Sequence, residues 1–269
     1  MADIIQKIKE EITLESVLKA ALKTPGVIIK RDVFLRKELI KYCSEEEVQE
    51  AIDNNPAKAG IPKELINKIS LSVIDYETTR VTAISVAASI PSSAAPAVAA
   101  GAASVDITSY FAHILRVVQE LAYLYGFSQF DFKEDNVDSD TMKQIMVFLG
   151  VMFSVHGASS SLNKIANSVA KNVAKNIASK PLTKGIVYPI VKEITKKIGI
   201  RITKQIFADT VASAIPVVGS VLSGGLTYAM FRPQCMKLRK TLMGYHLSDP
   251  DYYHVVADVE AEEIDTNIL

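Results

Sequence analysis

Apolar residues recur at three- and four-residue spacing along most of this chain, the period of helices with one buried face. Alternation of β-branched and polar residues, the mark of a half-buried strand, is approached only at Val27–Ile29. The pattern predicts a helix over 4–23, stopped by Pro25-Gly26, and a second over 32–42. Ser44 with Glu47 three residues on is a capping-box sequence, opening a short acidic helix that ends near Asn54-Asn55-Pro56. Pro62 starts a long helix reaching toward Ile90, where Pro91 and Pro96 break the chain. The next helix runs over 97–125 and ends at Gly126, which suits a residue just past a helix terminus. Beyond the acidic loop Asp131–Asp140, helices are expected over 141–156, 161–179, 182–198 and 200–214, and Pro216 opens the last, to Leu247. The tail from Asp249 reads as acidic and partly extended. The fold expected is all-α: a single compact multi-helix bundle over 61–247 with Ala/Gly-rich core helices, a small helical preface over 1–60 and an acidic tail over 248–269.

Composition narrows the function classes. With 49% apolar and 22% charged residues, the chain has ample material for a core and is not of disordered type. Thirty basic residues offset thirty acidic ones, so bulk charge calls for no polyanionic partner. Two cysteines, Cys43 and Cys235, exclude a disulfide scaffold and a Cys-rich zinc site, and suit a reducing cytoplasm. The opening MADIIQKIKEEITLES alternates charge with isoleucine, unlike a secretory leader. Val81–Val105, Gln144–Asn163 and Thr210–Phe231 contain no Asp, Glu, Lys or Arg, and each has the length of a membrane span. Their Ala, Ser, Gly and Pro content supplies little insertion energy, so packed core hairpins fit better, with conditional insertion as the alternative.

Two segments carry a family resemblance. Ala100–Gly126, AGAASVDITSYFAHILRVVQELAYLYG, leads small residues into an Asp, an amphipathic helix and Tyr-Gly. Ile200–Met230, IRITKQIFADTVASAIPVVGSVLSGGLTYAM, joins a basic helix to Ile-Pro-x-x-Gly and glycines at helical spacing. Together, over about 72–247, they resemble the EcsC family of bacterial proteins. The resemblance implies a helical protein associated with bacterial membranes and an ABC-transporter operon, with no established catalytic residue. Thr227-Tyr228 stands where the family usually has Asn-Tyr.

Asp106 follows twenty-five uncharged positions and precedes Ile107, Phe111 and Ile114, so a buried carboxylate is expected there. Arg80 and His113 complete this candidate as a buried polar switch, Arg116 is another possible partner, and a helix-capping Asp is the competing reading. Gly219, Gly224 and Gly225, following Pro216, each weaken a helix by about 1 kcal/mol relative to alanine, which close helix packing would offset. No Gly-Lys-Ser/Thr, GxGxxG, HExxH or GxSxG is present. The acidic loop fails the EF-hand template, with Thr141 and Val147 where Gly and Glu are needed counting from Asn136. No metal, cofactor or catalytic residue is therefore assigned.

Charge is strongly asymmetric over 161–205. Lys164, Lys171, Lys175, Lys180, Lys184, Lys192, Lys196, Lys197, Arg201 and Lys204 face only Glu193, a net of nine positive charges. In its first helix Leu162, Ile165, Val169, Val173 and Ile177 form an apolar stripe, with the lysines off it. That is the pattern of a basic amphipathic helix on an anionic bilayer, and equally of a solvated face over a core. Sparse aromatics and a single Arg argue against nucleic acid. The expected function is a non-enzymatic, peripherally membrane-associated accessory protein, cytoplasmic and on the inner face of the cell membrane. Its partner would be an anionic membrane surface or a membrane-protein complex, and self-association is possible. The alternatives are a membrane-inserting effector of a conflict or defence system, and a carrier or enzyme acting on an apolar ligand.

Overall fold

The computed structural model describes residues 14–88, 96–132, 140–175, 189–190, 192–194 and 219–256, with side chains except at 15, 84–88, 96–107, 174–175 and 219–228. The fold is all-α, and no strand occurs among the described residues. Its helices are α1 (Leu14–Leu22), α2 (Arg31–Leu39), α3 (Glu45–Asp53), α4 (Lys63–Ala88), α5 (Pro96–Leu124), α6 (Asp140–Met152), α7 (Ala158–Lys175) and α8 (Gly219–Leu242). A short 3₁₀ turn, His246–Ser248, follows α8, and residues 250–256 are helical where an extended tail was expected.

Helix α5 is the axis of the structure. Helices α4, α8, α1, α2 and α6 all pack against it, and from Phe111 to Phe127 every residue except Arg116 is buried. A helix surrounded on all sides is apolar on all sides, and Ile114, Leu115, Val117, Val118, Leu121 and Ala122 meet that demand. At its C-terminal end, Phe127 meets Phe148 of α6 nearly edge-on at 5.0 Å between centroids, and Phe130 meets Phe148 at 5.8 Å. Such pairs add about 0.5–1.5 kcal/mol to the burial of each ring. One continuous core runs from Leu14 to Leu247, so α1–α3 share it with the later helices.

Local chemistry sets the helix ends. Ser44 Oγ accepts from the Glu47 N–H and Glu47 Oε2 accepts from the Ser44 N–H, completing the capping box. The last carbonyls of α3 are satisfied from a distance: the buried Arg31 side chain donates to the carbonyls of Ala51, Ile52 and Asn54, and to that of Phe127 beyond α5. One guanidinium thus fastens the acidic helix to the central one. After α5, the Phe127 N–H bonds the Ala122 carbonyl and the Gly126 N–H bonds the Tyr123 carbonyl, a Schellman motif with Gly126 at φ +94°. Helix α6 ends four residues earlier than expected, in the same motif built on Ser154 at φ +58°. His156 consequently lies exposed in a turn instead of within the helix. Ser154 tolerates the left-handed conformation while its Oγ accepts from Lys237 of α8.

The chain returns to this end of the bundle after α8. Asn55 is fully buried and donates to the Tyr253 hydroxyl at 2.8 Å, while Lys63 pairs with Asp249 at 2.7 Å. A Cβ on Gly126 would lie 2.9 Å from the Leu247 carbonyl oxygen and 3.0 Å from Asn55 Nδ2. Gly126→Ala is therefore expected to destabilise by about 2–3 kcal/mol, from left-handed strain plus this collision. Chemical denaturation reads the loss, and unchanged stability would show that the junction yields.

Candidate functional site

The core of α5 contains a ridge of polar side chains. His113, Arg116, Gln119, Glu120 and Tyr123 recur at three- and four-residue intervals, the spacing that places them on one helix face. The ridge is buried except at Arg116, which is partly exposed, so its polar groups must find partners. Those partners come from α4 and from the connection between α1 and α2.

From α4, Glu77 projects into the ridge with no solvent exposure. Its Oε2 lies 2.5 Å from His113 Nδ1, and its Oε1 accepts from Arg116 Nε at 2.8 Å. A carboxylate only accepts, which places the His113 proton on Nδ1. Burial opposes ionisation of Glu77, yet the bonds from His113 and Arg116 outweigh it and hold its pKa below the ordinary value. Arg80, 3.9 Å from the same carboxylate, lies at the exposed edge.

The connection 26–29 runs as a strap along the ridge, with a turn at Gly26 and a bend at Ile28. Gln119 Oε1 accepts from the Ile29 N–H at 2.9 Å, while its Nε2 donates to the Val27 carbonyl at 2.8 Å. A side-chain amide thus takes the place of a neighbouring strand. This explains why Val27–Ile29 carries a strand-like sequence in an all-helical protein. Arg116 Nη1 donates to the Gly26 carbonyl, and the Tyr123 hydroxyl donates to the Ile29 carbonyl at 3.3 Å. Arg116 Nη2 also donates to Glu120 Oε1 at 3.1 Å, whereas Glu120 Oε2 is buried without a hydrogen-bond partner among the described residues. Burial foremost, then the neighbouring Glu77 charge, push the Glu120 pKa up to about 8, against the pull of Arg116.

The sequence candidates distribute unevenly over these features. His113 is the hydrogen-bonded core histidine of the ridge. Helix α5 passes through Asp106 without a break, so Asp106 does not cap a helix start, and its side-chain surroundings lie outside the described residues. Lys164, Lys171 and Lys192 are exposed, and Lys175 ends α7. Lys180, Lys184, Lys196, Lys197, Arg201, Lys204 and Pro216 lie outside the described residues. Gly219, Gly224 and Gly225 are in α8, whose contacts there are likewise undescribed. Glu77, Gln119 and Glu120 were not singled out from the sequence. The available signal was a polar stripe inside a helix whose other faces are all apolar, which has no solvent face to occupy.

The arrangement can hold and exchange protons and can clamp backbone. No cluster of three or more His, Cys, Asp or Glu suited to a metal occurs among the described residues. Replacing Gln119 with Leu would strand the Ile29 N–H and Val27 carbonyl, at a cost of about 2–4 kcal/mol readable by thermal melting. Glu77→Gln should cost about 3–5 kcal/mol near neutral pH, because the cations lose a buried counter-charge. The depressed pKa makes the Glu77 contribution present above about pH 4.5 and lost as pH falls through its folded value. Wild type and variant melting temperatures should therefore converge in acid, and a constant difference would show that Glu77 acts through packing alone. The chain matches no family model, no curated protein and no solved structure.

Proposed function

We propose that this chain is a non-enzymatic accessory protein that docks on an anionic membrane surface through the basic region beginning at α7. The observation that carries this reading is the division of α7 into two faces. Leu162, Ile165, Ala166 and Val169 are buried in the core, whereas Lys164 and Lys171 stand in solvent. Lys192 is exposed as well, while Ile190 and Ile194 beside it are buried. Because the stripe from Leu162 to Val169 is committed to the core, this part of the region attaches electrostatically, with no wedge driven into the bilayer. No helix among the described residues is long and apolar enough to cross a membrane.

Each Lys or Arg near an anionic surface contributes about 1 kcal/mol within a Debye length of about 8–10 Å. Four or five of the ten cations sharing a face would supply about 4–5 kcal/mol before ordering costs, enough for reversible docking. The cell-side expectation is the cytoplasmic face, where anionic lipids are exposed. Co-sedimentation with phosphatidylglycerol vesicles should be strong at low salt, fade in high salt and vanish on phosphatidylcholine. Reversing Lys164 and Lys171 to Glu should weaken it without lowering the melting temperature. Salt-insensitive binding to neutral vesicles would replace this reading with hydrophobic insertion, and absence of binding to both vesicles would end it.

A further inference from the structure

The guanidinium of Arg116 stands between three claimants. Its Nε is taken by Glu77 at 2.8 Å, Nη2 by Glu120 Oε1 at 3.1 Å, and Nη1 by the Gly26 carbonyl of the strap. Glu120 is only 5% exposed, and its second oxygen is buried and unpaired among the described residues. Two carboxyl groups therefore share one guanidinium, which the strap needs as well. We propose that Glu120 is a proton-binding residue that latches the strap: its neutral acid leaves Arg116 on Gly26, and proton loss to solvent draws Arg116 away and loosens the strap at its Gly26 end.

The charges around Glu120 support this assignment. On α4, Glu77 opposes a second negative charge, and Arg80 is spread over an exposed edge 3.9 Å from Glu77. On α5 itself, His113 is engaged by Glu77, and Arg116 is divided as described. From α2, Lys37 and Glu38 act on Glu120 in opposite directions. Helix α8 contributes Cys235, a buried thiol whose own pKa is raised by burial and by Glu77 and Glu120. Helix α1 carries Lys19 in its last turn, with Lys23 just beyond. The charged pair of α6, Asp140 and Lys143, is satisfied internally at 2.8 Å.

A carboxylate formed here would have parallel donors available at Nη1 and Nη2, the end-on arrangement that arginine offers carboxylates. Taking both removes the donor from Gly26. The bonds of Gln119, Tyr123 and Gln129 then hold the strap at Val27 and Ile29, while its Gly26 end, next to α1 with its buried Leu14, Val17, Leu18 and Ala21, loses its tether to α5. Glu120 has a raised folded pKa, so the latch is firm below the ordinary carboxyl value and weakens as pH rises through about 8.

Hydrogen–deuterium exchange on the full chain, corrected for the intrinsic pH dependence of amide exchange, tests the latch. Protection of the strap amides should fall with rising pH between about pH 5 and 8, by up to about tenfold per unit, then level off. Protection in α7 should stay nearly constant, which separates unlatching from global unfolding. In Glu120→Gln the strap should be equally protected across that range. A strap insensitive to pH in wild type would overturn the proposal. So would an unchanged dependence in Glu120→Gln, or one that Glu120→Gln keeps and His113→Gln removes. Infrared spectroscopy of wild type keeps the test decisive if Glu120→Gln does not fold: a buried protonated carboxyl band should be present at neutral pH and disappear in alkali, and its absence at neutral pH refutes the latch.

Discussion

From Phe111 to Leu124 helix α5 turns only Arg116 partly to water, and it nevertheless carries His113, Gln119 and Glu120 buried beside that arginine. Each would cost free energy if left without a partner, more for the charged groups than for the amide. Much of the surrounding architecture answers that demand. Helix α4 is placed so that Glu77 meets His113 and Arg116, the α1–α2 connection is placed so that its backbone meets Gln119, and Glu120 finds Arg116 on its own helix. The polar ridge specifies the register of α4 on α5 more sharply than aliphatic packing does. Sliding α4 by one turn would leave a buried carboxylate facing hydrocarbon.

The same logic joins the N-terminal helices to the bundle. Arg31 is buried with no carboxylate among its hydrogen-bond partners in the described residues, and burial lowers its pKa from the ordinary value. Carbonyls at the C-terminal end of α3, where the helix dipole is negative, take the place of a counter-ion. Arg31 also reaches the Phe127 carbonyl, so removing it would unfasten α3 from α5 as well as uncap α3. Helices α1 to α3 are thus held by directional polar contacts laid over a shared apolar core.

Helix α7 shows how tertiary structure narrows a functional reading. Amphipathic helices with lysine-rich polar faces are suited both to bilayers and to protein surfaces, and the difference lies in what covers the apolar side. Here the core covers it, and the lysines remain. Only the long-range, salt-screened part of membrane attraction is available to such a face. That favours reversible association over insertion.

Among the described residues, helix positions were legible in the sequence because caps, prolines and apolar periodicity act within a few residues; the helix expected over 200–214 lies outside them. Ser44 and Glu47 meet across one turn, and Gly126 adopts a left-handed conformation that glycine takes up without a steric penalty. The all-helical class followed for the same reason. What the sequence left open were contacts between residues far apart, such as Glu77 with Arg116 or Gln119 with Val27. The pattern at Val27–Ile29, which approaches that of a strand, forms no strand, and its backbone is held by a glutamine ninety residues from Ile29. Periodicity assigns a residue to a helix face, yet it does not say whether that face meets water or another helix. For α5 the polar stripe faces inward, and only the packing of α4 and the strap around it turned five ordinary polar residues into a buried network.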